Sequence, residues 1–590
     1  MTADLRSAAF ALLDDCDSTA ERRSSRLYTR LAHERSTTDG AALDGVCAQV
    51  EGDLRDGLYA VVVADYEFGR NLQLAQPGDA ALRFLLFREC THLSRDEADA
   101  WLASRDEGAA AGVAGIEASV TRDEFDAAIA AVHEALRAGD SYQVNYTYRL
   151  TFDVFGTPLA LYRRLRERQA VRYGALIALP EGGAVVSCSP ELFIEKSGDL
   201  LRARPMKGTA PRETNPQSLH DDPKNRAENV MIVDLLRNDM SRVAATGSVH
   251  VPALFSIEPY ASVWQMTSTV EARVRGGATF ADVVRALFPC GSITGAPKYK
   301  TMQLIDAIES TPRGLYTGAI GWLDRGGDFC MSVAIRTLIV REGRGTMGVG
   351  AGIVLDSVAA DEYAECLLKA SFLTGADPGL ELFETAYATR ENGVRHIDRH
   401  LARLEQSALY LGFRFNREEL TTRIDECCRT FDEGTPYRLR AALDKGGKIT
   451  LTYAPLAPLN TATVDVLLAP EHGFAPQSSN DPLLRHKTTR RADYDRAWKA
   501  AESQGAFDML FFNERGELTE GGRSTVFVKL DNRWWTPPID AGVLPGVMRA
   551  VLLEELNAAE RTIMQEELKS TEALILSNAL RGAIKARLRR

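Results

Sequence analysis

The sequence predicts an α+β protein built from two units, and three observations carry that reading. First, 590 residues exceed what one hydrophobic core usually supports. Second, apolar stretches of strand length alternate with amphipathic helices up to about residue 375, which predicts a large, mostly antiparallel sheet. Third, turn formers cluster in Thr374-Gly-Ala-Asp-Pro-Gly379, and a fresh α+β pattern follows them. The expected units are residues 1–375 and 376–590, the second large enough for its own core.

Within the first unit the strand candidates are Leu58–Ala64, Gly174–Leu179, Ala184–Ser187 and Phe329–Val340, and the helix candidates are Arg122–Arg137, Ala227–Leu236 and Lys300–Ile308. Gly139–Arg149 moves from a turn into a strand with polar side chains, and alone decides little. Phe329–Val340 alternates: Phe329, Met331, Val333 and Ile335 form one face, and Cys330, Ser332, Ala334 and Arg336 the other. In the second unit Glu381–Thr389 and Thr525–Leu530 read as strands, His400–Leu411 as a helix and Asn513–Gly516 as a hairpin turn.

Composition excludes several classes. Hydrophobic content of 45% and charged content of 26% are ordinary for a globular protein. A net charge of −11 argues against a nucleic-acid surface spread over the molecule. No segment approaches the ~20 apolar residues that span a bilayer. Met1–Arg6 lacks a basic stretch followed by an apolar run, so no signal peptide is expected and the cytoplasm is the expected compartment. Nine scattered cysteines without a CxxC pair fit free thiols better than a disulfide framework or a zinc site.

The chemistry-bearing residues come next. Lys207 follows Glu191 by 16 positions. A loop lysine can act as a nucleophile, and a nearby carboxylic acid can manage a leaving group's proton. The plain alternative is a solvated charge. Glu228 shares a helix face with Ile232 and Leu235, and a carboxylate beside an apolar stripe needs a partner, either a cation or an arginine such as Arg237. Glu362 and Glu365 share another helix face, although Glu365 with Lys369 reads equally as a surface ion pair. They follow Gly348-Val-Gly-Ala-Gly352, whose glycines permit close approach of a ligand. Glu228 and Glu365 together suit Mg²⁺, a hard ion that prefers oxygen ligands. Arg336 can grip a carboxylate in bidentate fashion. The turn Phe288–Lys298 can present N–H groups to an anion, with Lys298 adding charge. In the second unit Lys487 and Glu520 stand in polar segments, each readable alone as a surface charge.

Taken in order, Ser189-Pro-Glu-Leu-Phe193, Pro205-Met-Lys-Gly-Thr209, Ala227–Asp239, Gly291-Ser-Ile-Thr-Gly-Ala-Pro-Lys298, Ala334-Ile-Arg-Thr337 and Gly350-Ala-Gly352 resemble the chorismate-utilising enzymes. These include anthranilate, aminodeoxychorismate and isochorismate synthases. The resemblance implies an α/β sandwich-type domain, chorismate as substrate, Mg²⁺ on Glu228 and Glu365 with Glu362 beside them, and Glu191 as general acid/base. It implies Arg336, Tyr316, Lys298, Thr294, Gly350 and Gly352 as substrate contacts. Lysine at position 207 marks the aminodeoxychorismate synthases, in which Lys207 would attack ring carbon C2 while Glu191 protonates the departing C4 hydroxyl. Many relatives carry histidine where this chain has Gln265, so an acid role there is in doubt and Glu191 is the better candidate.

From about Leu382 on, Phe383-Glu-Thr385, His400-Leu-Ala-Arg-Leu404, His486-Lys-Thr-Thr489, Leu544–Arg549 and Leu576-Ser-Asn578 resemble fold-type IV pyridoxal-phosphate (PLP) enzymes. That resemblance implies that Lys487 carries PLP and that Glu520 faces the pyridine nitrogen. Arg403, the backbone at Val547 and Met548, and Ser577 or Asn578 would hold the phosphate. Joined to a synthase, the domain is expected to act as an aminodeoxychorismate lyase. The whole would make 4-aminobenzoate, with ammonia from a separate glutaminase (glutamine amidotransferase) subunit and with dimerisation through the second domain. The rivals are an anthranilate- or isochorismate-forming enzyme fused to a branched-chain or D-amino acid aminotransferase, and a non-catalytic scaffold.

Overall fold

The computed structural model describes residues 9–106, 108–259 and 263–589, so Met1–Arg6 lies outside it. The chain divides into two compact units, Met1–Ala376 and Asp377–Arg590. Among the described residues no helix is long and apolar enough to cross a membrane.

The first unit is the large antiparallel sheet that its strand pattern predicts. Its longest ladder joins Gln143–Phe155 to Arg344–Ile353, from Arg344 opposite Asp153 to Ile353 opposite Val144. Pairing continues through Thr337–Arg341, Ala184–Ser189, Tyr173–Ala178 and Phe10–Asp14. It runs on through Ser25–Thr37, Leu82–Leu93, Tyr59–Ala64, Ala319–Leu323 and Phe329–Val333 to Leu192–Ser197, Leu200–Arg204 and Val263–Arg273.

Two short links join distant parts of this ladder. Ala184–Ser189 runs into Leu192–Ser197, and Phe329–Val333 runs into Thr337–Arg341. The sheet therefore folds over itself into two layers. Between the layers lies a core from strands of both, with Tyr28, Val63, Phe87, Ile177, Val185 and Ile320. Helices cover the outer faces. Phe125, Ile129 and Val132 pack with Tyr146, Tyr148 and Val349, and on the other side Ile232, Val233 and Leu236 pack with Leu201 and Val270.

The single strand expected over Phe329–Val340 is two strands, Phe329–Val333 and Thr337–Arg341. Between them Arg336 adopts φ 50°, and its carbonyl accepts from Cys188 N–H at 3.0 Å. Arg336 thus belongs to a corner where the chain changes layers, and the predicted alternation stops before it. The helix Arg122–Arg137 forms with the bounds its pattern predicts. Thr121 and Glu124 close a capping box at its start, a device worth about 1 kcal/mol. The helix expected over Ala227–Leu236 extends to Pro223–Ser241, because the Asp222 side chain accepts from Asn225 N–H and Pro223 begins the first turn.

The second unit has a four-stranded antiparallel sheet and an eight-stranded sheet. In the smaller, Leu382–Thr389 pairs with Tyr437–Leu443. In the larger, Asp508–Phe512, Thr463–Leu468 and Gly582–Leu588 run parallel, while Leu518–Gly521 and Ala573–Asn578 are antiparallel to their neighbours. Two α+β units with a mainly antiparallel first sheet are the predicted fold class.

Candidate active sites

In the first unit the two layer-changing corners meet. Glu191 sits at one and Arg336 at the other. Val333 N–H donates to Glu191 O at 3.1 Å, and Ser189 Oγ donates to Val333 O at 2.6 Å. The Glu191 carboxyl is 5% exposed and accepts from Ser292 Oγ at 2.6 Å. Burial raises its pKa, against the opposing pull of Ser292, Lys207 and Lys369. A carboxyl that holds its proton is fit to donate it.

Lys207 lies in the strand Met206–Pro211, which corrects the loop expected there. The register slips between Met206, opposite Thr267, and Thr209, opposite Gln265. Gly208 accommodates the slip at φ 90°. Such a bulge re-aims a side chain away from the regular alternation. Lys207 Nζ reaches the space over Gly352, within 3.1 Å of where a Cβ would stand, and Gln143 Nε2 is 2.3 Å from the same point. Gln143 is 1% exposed, and neither of its amide atoms has a hydrogen-bond partner among the described residues. Sequence reading missed Gln143. Its one signal was an amide side chain at the head of a strand whose polar residues alternate, Gln143, Asn145, Thr147 and Arg149.

The helix Ala359–Thr374 brings acids to Lys207. Burial works to raise the Glu365 carboxyl, but the charges of Lys369, Lys207 and Lys224 outweigh it and hold it below the usual carboxylate range. Glu362 is 7% exposed, and burial, opposed by Ser357 and reinforced by Glu365, pushes it up. Lys369 Nζ bonds Glu365 at 2.7 Å and Gly350 O at 2.9 Å. The surface pair is real, but its lysine also acts on Glu191, a link the sequence did not show. Lys224 stands one turn before Glu228 on the Pro223–Ser241 helix, and its charge reaches both Glu362 and Glu365. Among the described residues the one acidic or thiol cluster with all ligand atoms within 4.8 Å is Asp15-Cys16-Asp17. Glu228, Glu362 and Glu365 therefore form no closed three-carboxylate cage. Carboxylates with room for waters remain the donor set that Mg²⁺ takes.

Four of the expected substrate contacts are also engaged within the protein. Lys298 is 9% exposed and committed to Asp239 at 2.5 Å and to Leu287 O at 2.9 Å, so it is not a free charge at the turn. The Thr294 hydroxyl donates within its own turn, to Cys290 O and Gly291 O. The missing Cβ of Gly350 makes room for the neighbouring strand, Tyr146 O at 2.4 Å and Thr147 Cγ2 at 2.6 Å. The Tyr316 ring fills the space over Gly348, 2.0 Å from a Cβ there, beneath the Arg149 guanidinium. These groups shape the site from within the protein. Lys207 and Gly352 come together here near Glu191, and Arg336 stands at the neighbouring corner.

In the second unit a cavity of about 500 Å³ is lined by Lys487, Glu520, Arg403, Ser577, Asn578 and the start of the helix Val547–Glu555. Lys487 Nζ stands 4.8 Å from the Phe383 ring centroid. Burial, with Arg403 and Arg491, lowers its amine to about 7, while Glu384 and Glu520 oppose. Burial raises Glu520 to about 7, against Leu544 N–H at 3.2 Å and the adjacent Tyr494 hydroxyl.

The opposite end of the cavity suits an anion. Val547 and Met548 open a helix whose Gly546 N-cap supplies no side-chain bond, so first-turn N–H groups stay available. Ser577 Oγ is buried and without a partner among the described residues. The Asn578 side chain is spent on Arg523 O at 3.3 Å and Arg581 N–H at 2.8 Å, which leaves Ser577 of the expected pair. Arg403 forks onto Glu384 at 2.8 and 2.6 Å and reaches Pro545 O at 3.1 Å. An amine with a lowered pKa, a facing carboxyl and an anion seat fit PLP. Arg490 and Arg491 are paired with Asp481 and Asp495, but Arg438 and Arg440, which line the same cavity, have no carboxylate partner among the described residues.

Glu384 gives a stability prediction. Burial would raise its carboxyl, but Arg403 and His400 outweigh that and hold it at about 2, against an ordinary 4.5. A depressed carboxyl contributes stability above its ordinary pKa and loses it as pH falls through the folded value. The second unit should therefore lose roughly 3 kcal/mol between about pH 4.5 and 2 through this group. Glu384→Ala should cost about 3–5 kcal/mol at pH 7, because it strands Arg403. Denaturant melts of both proteins across that range check this; parallel pH curves would contradict it.

Residues 8–375 match the family model described as chorismate binding enzyme, which is more than half of the chain. The chain belongs to that family. It is similar over part of its length to curated proteins of more than one name. It is 43% identical over 259 residues to an aminodeoxychorismate synthase component 1 of Klebsiella aerogenes, covering 43% of this chain and 57% of that protein. It is 39% identical over 267 residues to an anthranilate synthase component 1 of Haloarcula marismortui, covering 44% and 54%. The chain thus spans little more than half the length of these relatives. A solved anthranilate synthase component I from Streptococcus pneumoniae shares the fold at TM-score 0.52 and 23% identity, over 62% of this chain and 92% of that one. Residues 381–588 match the class IV amino-transferase model, so a second family's domain follows the chorismate-binding one.

Proposed function

We propose that this chorismate-binding enzyme makes 4-aminobenzoate in two steps, amination of chorismate in the first unit and release of pyruvate in the second. The observation that carries the reading is Lys207. A bulge turns its amine over Gly352, within electrostatic reach of buried Glu191. In the first step Lys207 Nζ attacks C2 of the ring, the two ring double bonds shift, and the C4–O bond breaks. Glu191 protonates the departing oxygen, which leaves as water. Ammonia then bonds to C4, the double bonds shift back, and the C2–N bond to Lys207 breaks. Glu228 and Glu365, with Glu362 beside them, would hold Mg²⁺, which would neutralise the ring carboxylate. Arg336 would meet a carboxylate. A glutaminase partner would supply the ammonia in the cytoplasm.

In the second step PLP would supply an electron sink. Lys487 and Glu520 would hold it at opposite edges of its ring. Arg403, Ser577 and the N–H groups of Val547 and Met548 would seat its phosphate. Lys487 Nζ takes the C4 proton, the C3–O bond breaks, pyruvate departs and the ring becomes aromatic. The unpaired Arg438 and Arg440 favour a substrate with carboxylates, and the amino intermediate has two. Two copies would pair through residues 377–590.

Product analysis tests the whole reading. Chorismate, ammonia, Mg²⁺ and PLP should yield 4-aminobenzoate and pyruvate, with the aminobenzoate isomers resolved by chromatography. Anthranilate or isochorismate as the product would overturn it. The Lys487 amine adds a pH prediction. Only its neutral form can capture the cofactor aldehyde, so PLP uptake by the apoprotein should rise through about pH 7 and level off. An uptake rate still climbing toward pH 10 would show an ordinary lysine.

A further inference from the structure

His400 is 2% exposed, and its Nδ1 lies 2.7 Å from Glu384 Oε2. A carboxylate held at about 2 cannot donate at neutral pH, so His400 Nδ1 carries the hydrogen. His400 Nε2 is buried without a partner among the described residues. Glu384 therefore accepts three charge-assisted or near-charge bonds: one from His400, and two from the Arg403 fork at Nε and Nη2. With Nη1 on Pro545 O, the fork fixes the plane of the guanidinium. One hydrogen on Nη1 and one on Nη2 are left over. Pro545 directly precedes the uncapped helix start at Gly546 and Val547, so Arg403 is anchored beside the exposed first-turn N–H groups.

Glu384 and His400 border a small cavity whose other lining residues are all apolar, Leu401, Leu404 and Leu439 among them, so no other polar side chain meets the pair there. His400 and Arg403 are three residues apart on the helix Ile397–Leu411, so they present to Glu384 from one face. A carboxylate with a single arginine partner could swing with it. With the histidine on the same oxygen as Nη2, the carboxylate has one orientation left.

We propose that His400 is a positioning residue. Through Glu384 it locks Arg403 so that its two spare N–H groups point at the anion seat, and so sets how strongly that seat takes a phosphate monoester. This rests on the reading that Arg403 faces the cofactor phosphate.

The test compares binding of pyridoxal phosphate with binding of pyridoxal, which lacks the phosphate, by fluorescence titration of the full-length apoprotein. His400→Leu should weaken pyridoxal phosphate about 10-fold, the worth of a hydrogen bond to a charged group, and leave pyridoxal within about 2-fold. His400→Asn, whose amide N–H can stand in for Nδ1–H, should restore most of the loss. Equal losses for both ligands would make His400 a packing residue only, and no loss for either would dismiss it; both overturn the proposal. Arg403→Ala should weaken pyridoxal phosphate by more than His400→Leu does and leave pyridoxal within about 2-fold, the rest of the phosphate's hold staying with Ser577 and the helix N–H groups. If it does and His400→Leu changes nothing, the His400 inference alone falls. If it does not, the phosphate assignment of Arg403 falls and the inference with it.

Discussion

Replacing Lys207 with Ala should lower ammonia-dependent formation of 4-amino-4-deoxychorismate by about 1,000-fold, roughly 4 kcal/mol of barrier. The reasoning is geometric. Lys207 is the amine that the bulge at Gly208 aims over Gly352, and Glu191 is held beside it by Ser292. Removing the amine removes the nucleophile but leaves the buried acid and the corner that carries it. Lys207→Arg should fail equally, since a guanidinium keeps the charge and stays protonated. A positive control separates this from unfolding: 4-amino-4-deoxychorismate supplied directly should still be converted to 4-aminobenzoate, because Lys487 and Glu520 are untouched. Wild-type turnover by Lys207→Ala with ammonia would refute the covalent role.

Lys487→Ala should split the sequence at its midpoint. Given chorismate, ammonia, Mg²⁺ and PLP, the variant should accumulate the amino intermediate, with 4-aminobenzoate formation down by at least about 1,000-fold. Burial and two arginines lower this amine to about 7 in a cavity that the start of the helix Val547–Glu555 also lines. No other lysine lines that cavity. Chromatography of the reaction mixture reads both species at once. Undiminished 4-aminobenzoate would mean that Lys487 takes no part in the second step.

Local signals were read well from the sequence, and long-range ones were not. The helix Arg122–Arg137 was legible because its cap, Thr121 with Glu124, and its apolar face, Phe125, Ile129 and Val132, all lie within one segment. The break inside Phe329–Val340 was not, because no glycine or proline marks it and the cause is a corner built by another strand. Lys207 and Glu191 could be picked out as residues, but the bulge that brings them together depends on pairing with Val263–Arg273. Lys298 had the right charge and motif, yet its partner Asp239 lies on another helix. Gln143 shares the polar face of its strand with Asn145, Thr147 and Arg149, so the alternation did not single it out. Its importance lies in having no partner, which is visible only once the neighbours are in place.

The corner that holds Glu191 has a consequence for adaptability. Val333 N–H and Cys188 N–H bond across the two strand switches, so deuterium can replace those hydrogens only when both layers part. The acid is thus mounted where one layer is tied to the other by backbone bonds. Accommodation of an incoming ring falls instead to the slipped segment 206–211, where hydrogen–deuterium exchange should be fast in the free protein and slow once the ring is bound.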